Sequence, residues 1–132
     1  MGNTAGFSVN DWEDDIRLAQ EAHIDAFALN IAYNEAPNTN SLANAFAAAR
    51  NLGFKLLFSF DYAGNGNWPK EEVIRLLKQY GPDNAYYHRG SQPLVSTFEG
   101  PKSGIDWPAI KKETGCYFVP SWSSLGLSLI HI

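Results

Sequence analysis

The stretch Phe54-Lys55-Leu56-Leu57-Phe58-Ser59-Phe60-Asp61-Tyr62-Ala63-Gly64 decides the fold. Six of its first seven residues are apolar or small, Lys55 being the exception, and the run stops at Asp61. A continuous apolar run of this length, closed by a polar residue and a glycine-containing loop, reads as a strand over Phe54–Phe60 buried on both faces. In parallel α/β folds, ligands bind at the C-terminal ends of the strands. A carboxylate at the end of this strand therefore marks a candidate site.

Outward from that strand the chain alternates. Upstream, Gly53 stops a helix over Leu42–Leu52, with Ser41 or Asn40 as its cap and Leu42, Ala45, Phe46 and Ala49 on one face. Before it come a polar loop over Ile31–Asn40, a short apolar run from Ile24 to Asn30, and a first helix. Asn10 is placed to cap that helix, and Glu13 to complete a capping box. Downstream, Tyr62–Trp68 is a Gly/Asn loop, and Pro69 opens a helix that ends at Gly81-Pro82. A polar connection over Asp83–Gln92 leads to a strand over Pro93–Phe98. A helix from Asp106-Trp107-Pro108 ends at Gly115, and Cys116–Pro120 forms the last strand.

Helix and strand alternating through the chain predict a parallel α/β fold. No GxGxxG follows any strand, and Gly64-Asn65-Gly66-Asn67 lacks the Lys-Ser/Thr of a phosphate-binding loop. A complete (β/α)8 barrel needs about 250 residues. The expectation is an incomplete (β/α)8 TIM barrel, about its first half.

Composition bounds the function. The 132 residues carry 10 Lys+Arg against 14 Asp+Glu, for a net charge of −4. A mildly acidic chain with no basic stripe is a poor partner for nucleic acid or an anionic membrane. No stretch reaches the roughly 18 apolar residues of a membrane span. Met1–Asn10 lacks the basic region and apolar core of a signal peptide. The single cysteine, Cys116, reads as a small buried hydrophobe. His23, His88 and His131 share no metal-ligand spacing, and no metal or cofactor is expected. Eighteen aromatic residues (four Trp, six Tyr, eight Phe) either fill a core or form sugar-stacking platforms.

The first residues past each apolar run are Asn30, Asp61, Glu99 and Ser121-Trp122. In a parallel barrel they share one mouth. Asp61 and Glu99 would come from adjacent strands, about 4.8 Å apart. Paired carboxylates suit glycoside chemistry, because one acid protonates a leaving oxygen while another carboxylate activates water or attacks. Trp122 and Tyr62 are candidates to stack on a sugar ring. The plainer alternative is that a carboxylate at such an end caps the following loop, and that Asn30 organises its loop.

At these residues the sequence resembles glycoside hydrolase family 71, the fungal α-1,3-glucanases or mutanases. The likeness is carried by DWEDDIRLAQEAHIDAFALN (Asp11–Asn30), LANAFAAARNLGFKLLFSFDYAG (Leu42–Gly64), PLVSTFEGP (Pro93–Pro101) with DWPAIKK (Asp106–Lys112), and TGCYFVPSWSSLG (Thr114–Gly126). It covers about Gly2–Gly126 and implies a (β/α)8 barrel, α-1,3-glucan as the polysaccharide partner, inverting hydrolysis and a secreted or cell-wall location. It places Asn30, Asp61, Tyr62, Glu99 and Trp122 in the substrate site. The family's catalytic Asp/Glu pair belongs to a downstream WNDxGE-like stretch absent from this sequence, which leaves Asp61 and Glu99 only weak catalytic candidates. Members also begin with an extra HFMVG-like strand where this chain has Met1. The expected domain is residues 1–126, and the tail Leu127–Ile132 does not continue the family pattern. A half barrel with open strand edges is expected to be poorly stable and inactive alone. Two other readings stay open: a carbohydrate-binding segment without catalysis, and a different barrel glycosidase using Asp61 and Glu99 as its working pair.

Overall fold

The computed structural model describes residues 1–123. The Leu127–Ile132 tail and His131 lie outside them. Chain order is a 3-10 turn at Gly2–Thr4, α1 (Val9–Glu21), β1 (Ala26–Ala32), α2 (Asn38–Leu52), β2 (Lys55–Asp61), α3 (Lys70–Tyr80), β3 (His88–Arg89) and β4 (Gln92–Phe98). A second 3-10 segment at Pro101–Asp106, α4 (Trp107–Thr114) and β5 (Tyr117–Val119) complete it. β1, β2, β4 and β5 are parallel neighbours in that order, and β3 pairs antiparallel with β4. This is the parallel α/β architecture of a partial barrel.

The organising strand is buried on one face, not two. Leu56, Phe58 and Phe60 are 0% exposed, whereas the alternate residues Lys55, Leu57, Ser59 and Asp61 are not buried. Register carries this alternation across the sheet. Leu29, Ile31, Phe58, Phe60, Val95 and Thr97 lie under the helices. Ala28, Asn30, Leu57, Ser59, Ser96, Phe98 and Val119 line the other face, which is open among the described residues. That is the face a closed barrel turns inward. The apolar reading of residues 54–60 overlooked that Lys55, Ser59 and Asp61 share a period of two.

Several boundaries move. Ser8, not Asn10, caps α1. Its extended backbone (φ −77°, ψ 172°) points Oγ at the Asp11 N–H, and the Asp11 carboxylate accepts from the Ser8 N–H at 2.9 Å. These bonds hold the Asp11 carboxyl below its ordinary value. The box is the expected motif two residues earlier. β1 runs to Ala32, because Ile31 and Ala32 pair with Phe60 and Asp61. α2 begins at Asn38 with no side-chain cap from Asn40 or Ser41, since Pro37 and Asn38 already turn the chain. Gly53 (φ 66°) and Gly115 (φ 67°) end α2 and α4 in the left-handed conformation expected of them.

The supposed polar connection is core. Tyr86 is 1% exposed and packs against Phe46 and Phe58. Its hydroxyl accepts from the Phe58 N–H at 3.1 Å and donates to the Leu94 carbonyl at 2.7 Å, so it bridges β2 and β4. Burial pushes its phenol far up. Trp12, Trp68 and Trp107 are buried too, so most rings serve packing.

Candidate functional site

The C-terminal strand ends are joined through the backbone. The Tyr62 N–H donates to the Phe98 carbonyl at 3.0 Å, and the Glu99 N–H donates to the Ser121 carbonyl at 2.9 Å. These bonds place the segments after β2, β4 and β5 side by side, and with them Asp61, Glu99 and Trp122.

Asp61 closes β2, in register with Ala32 and Phe98. One carboxylate oxygen, Oδ1, accepts from the N–H groups of Ala63 (2.8 Å) and Gly64 (2.9 Å). It therefore organises the loop that follows, the plainer of the two roles the sequence allowed. Gly64 sits close over it: a Cβ there would lie 3.2 Å from Asp61 Oδ2 and 3.1 Å from Ala32 Cβ. Glu99 follows β4 at φ 59°, a left-handed conformation that a non-glycine residue adopts at a cost. Its carboxylate accepts from the Ser123 hydroxyl. The sheet register and these bonds put both acids at one end of neighbouring parallel strands.

Tyr62 does not present a ring to this mouth. It is 5% exposed and packs so tightly on Gly100 (φ 78°) that a Cβ there would sit 2.4 Å from Tyr62 Cγ. Burial, reinforced by the charge of Asp106, raises its phenol well above the tyrosine range. Asn30 is not at a strand end. It lies two residues before the end of β1, exposed on the open face and in register with Ser59, which pairs in turn with Ser96. Trp122 is half-buried. It meets Phe118 edge to face at 6.1 Å, and Phe118 stacks on Trp107 at 3.8 Å. These rings border a cavity of about 350 Å³ with Gly104, Pro108, Lys111 and Pro120.

The sequence reading missed Phe98, 44% exposed at the same mouth. Its parity with Asp61 was the available signal. The reading also missed the cavity around Tyr33 and Glu35, which needs two helices far apart in sequence. Among the described residues no group of three or more His, Cys, Asp or Glu could hold a metal ion, and no helix is long and apolar enough to cross a membrane.

A parallel sheet covered by helices on one face, with acids gathered at the strand C-termini, defines a partial (β/α) barrel whose mouth carries carboxylates. The chain belongs to glycosyl hydrolase family 71, whose family model matches residues 1–131. It is 35% identical over 123 residues to a mutanase of Penicillium rubens, covering 92% of this chain and 27% of the relative. It is 33% identical over 144 residues to glucan endo-1,3-alpha-glucosidase agn1 of Schizosaccharomyces pombe, covering 96% of this chain and 33% of the relative. The chain thus spans about a third or less of these relatives. Its fold resembles that of the GH99 endo-alpha-mannosidase of Bacteriodes thetaiotaomicron, with a TM-score of 0.70 at 17% identity over 85% of this chain and 39% of the other. That likeness bears on the fold alone.

Proposed function

We propose that this chain forms part of a secreted hydrolase that cleaves α-1,3-glucan with inversion. In this reading the chain supplies one wall of the sugar site, and acids outside it act as the proton donor and base. The observation that carries it is the family match over residues 1–131 to a group whose named relatives are a mutanase and a glucan endo-1,3-alpha-glucosidase. The geometry agrees. Asp61 spends one oxygen on two backbone N–H groups and keeps Oδ2 beside Gly64, which suits a carboxylate that binds sugar hydroxyls. The open-face row Asn30, Ser59 and Ser96 supplies further polar contacts along that face.

The test is turnover of α-1,3-, α-1,4- and β-1,3-glucans by the longer protein that carries this chain, with the product anomer followed by NMR. Release from α-1,3-glucan with inverted product supports the proposal, and selective release from another linkage refutes it. Asp61→Asn keeps an oxygen for Ala63 and Gly64, whereas Asp61→Ala removes it. A substrate-wall role predicts a raised KM with residual turnover for Asp61→Asn and Glu99→Gln. Loss of turnover with intact binding would instead make these two acids the working pair. Retention on insoluble glucan with no sugar release in the unmodified protein would mark a binding segment.

A further inference from the structure

The loop between β2 and α3 holds the run Gly64-Asn65-Gly66-Asn67, which has no phosphate-binding spacing. It contains the one Asn-Gly pair in the 132 residues; every other asparagine precedes a residue with a side chain. That pairing has a chemistry of its own. A backbone nitrogen can attack the side-chain carbonyl of the asparagine before it, and a side chain on the attacking residue obstructs the approach. Glycine presents none.

Gly66 is open to that approach. It sits at φ 80°, and a Cβ placed on it would meet nothing within 4 Å. Asn65 and Gly66 are both exposed. Among the described residues no acceptor takes the Gly66 N–H. Asn67, two residues on, is exposed as well but precedes the bulky, buried Trp68, so the same loop carries its own comparison.

The reactive amide is also a tether. The loop is pinned near both ends. Asp61 Oδ1 accepts from the Ala63 and Gly64 N–H groups, and Trp68 Nε1 donates to the Ile31 carbonyl at 3.2 Å. Between those pins, Asn65 Nδ2 donates to the Tyr33 carbonyl at 3.0 Å. An ionised acid at this position has no proton to donate, so its oxygens would face the carbonyl as one acceptor against another.

We propose that Asn65 is a site of spontaneous deamidation, and that its product releases the middle of the β2–α3 loop from the segment after β1. The Gly66 nitrogen attacks Asn65 Cγ. The N–Cγ bond forms, the Cγ–Nδ2 bond breaks, and Nδ2 leaves as ammonia with the proton that Gly66 gave up. Water then opens the cyclic imide. Addition at Cγ leaves aspartate in a normal backbone, whereas addition at the backbone carbonyl leaves isoaspartate, whose main chain runs through the side chain. Either product adds one negative charge and loses the donor that the Tyr33 carbonyl accepts. The reaction needs no partner beyond water, so the change accumulates with the age of the molecule.

The test is incubation of the longer protein that carries this chain, at neutral pH over days, followed by peptide mass mapping. Cleavage after Lys55 and Lys70 yields one peptide with both asparagines, and its fragment ions separate Asn65 from Asn67. Conversion at Asn65 should run about tenfold or more ahead of Asn67, a barrier difference of about 1.4 kcal/mol, with isoaspartate recovered beside aspartate. Asn65→Gln, whose longer side chain must close a larger ring, should keep its amide over the same period. Asn65→Asp supplies the product directly, and hydrogen exchange across residues 62–68 should be faster in it than in the parent at unchanged circular dichroism. Equal conversion at Asn65 and Asn67, no conversion at Asn65, or aspartate without isoaspartate overturns the site. Unchanged exchange in Asn65→Asp overturns the release of the loop.

Discussion

Tyr86→Phe removes one oxygen from the seam between β2 and β4 and tests whether that seam is a hydroxyl-bridged joint. The hydroxyl serves two backbone groups, the Phe58 N–H at 3.1 Å and the Leu94 carbonyl at 2.7 Å. The first is sealed, with Tyr86 1% exposed and Phe58 0% exposed, whereas Leu94 is only half-buried. Deleting the oxygen frees about one atom's volume, at the lower limit of the ~10–15 Å³ a water needs. Solvent therefore does not replace it readily. The orphaned Phe58 N–H costs about 1–3 kcal/mol and the half-buried Leu94 carbonyl adds little, so the variant should lose about 1–3 kcal/mol of folding free energy. Urea unfolding should show a lower midpoint at unchanged slope, and hydrogen exchange should show lost protection at the Phe58 amide. Burial also raises the Tyr86 phenol in the folded state alone. The folded chain then holds a proton that the unfolded chain releases above pH of about 10, so stability is intact below that value and falls as pH rises past it. The gap between the parent and Tyr86→Phe should accordingly narrow at high pH. A loss under about 0.5 kcal/mol with Phe58 protection unchanged would refute the joint, being no larger than an ordinary surface substitution.

The other expectations are more local. Gly100→Ala combines a left-handed backbone (φ 78°) with a Cβ 2.4 Å from Tyr62 Cγ. It should cost about 2–4 kcal/mol by thermal melting, whereas Gly53→Ala, which meets nothing within 4 Å, should cost only the backbone strain. Ser8→Ala should cost about 1 kcal/mol at neutral pH through the lost helix cap. The Asp11 carboxyl of that cap is held below its model-peptide value of 3.8. Its contribution is present above that pH and disappears as pH falls through the folded value, so the Ser8→Ala deficit should shrink in acid titration. Phe46→Ala, which removes the ring stacked on Tyr80 at 4.4 Å, should cost about 3–5 kcal/mol in chemical denaturation.

The fold was legible where the signal is local. Apolar runs, glycines after helices and prolines before them mark β2, β4, α2 and α4 within a residue or a few, because each cue acts on its own few φ/ψ pairs. Tyr86 was not legible. Its role depends on Phe58 and Leu94, 28 residues before and 8 residues after it, and nothing nearby separates a buried bridging tyrosine from one in a polar loop. Asn38 and Glu35 are hidden for the same reason, since the groove they line exists only once α3 packs against α2.

The site residues divide by parity. Successive side chains of a strand alternate faces, so a boundary misplaced by two residues keeps the face and loses the depth, whereas a step of one changes the face. Asn30 is the first case: the strand runs two residues further, and Asn30 stays on the open face but below the rim, level with Ser59. Tyr62 is the second. Once Asp61 is assigned to the open face, the next residue points under the helices, and Tyr62 is buried against Gly100. Phe98 obeys the same count from the neighbouring strand, paired with Asp61 and exposed beside it. The ring exposed beside Asp61 is therefore Phe98 on β4, not Tyr62, and which ring this end of the sheet presents is set by register across the strands.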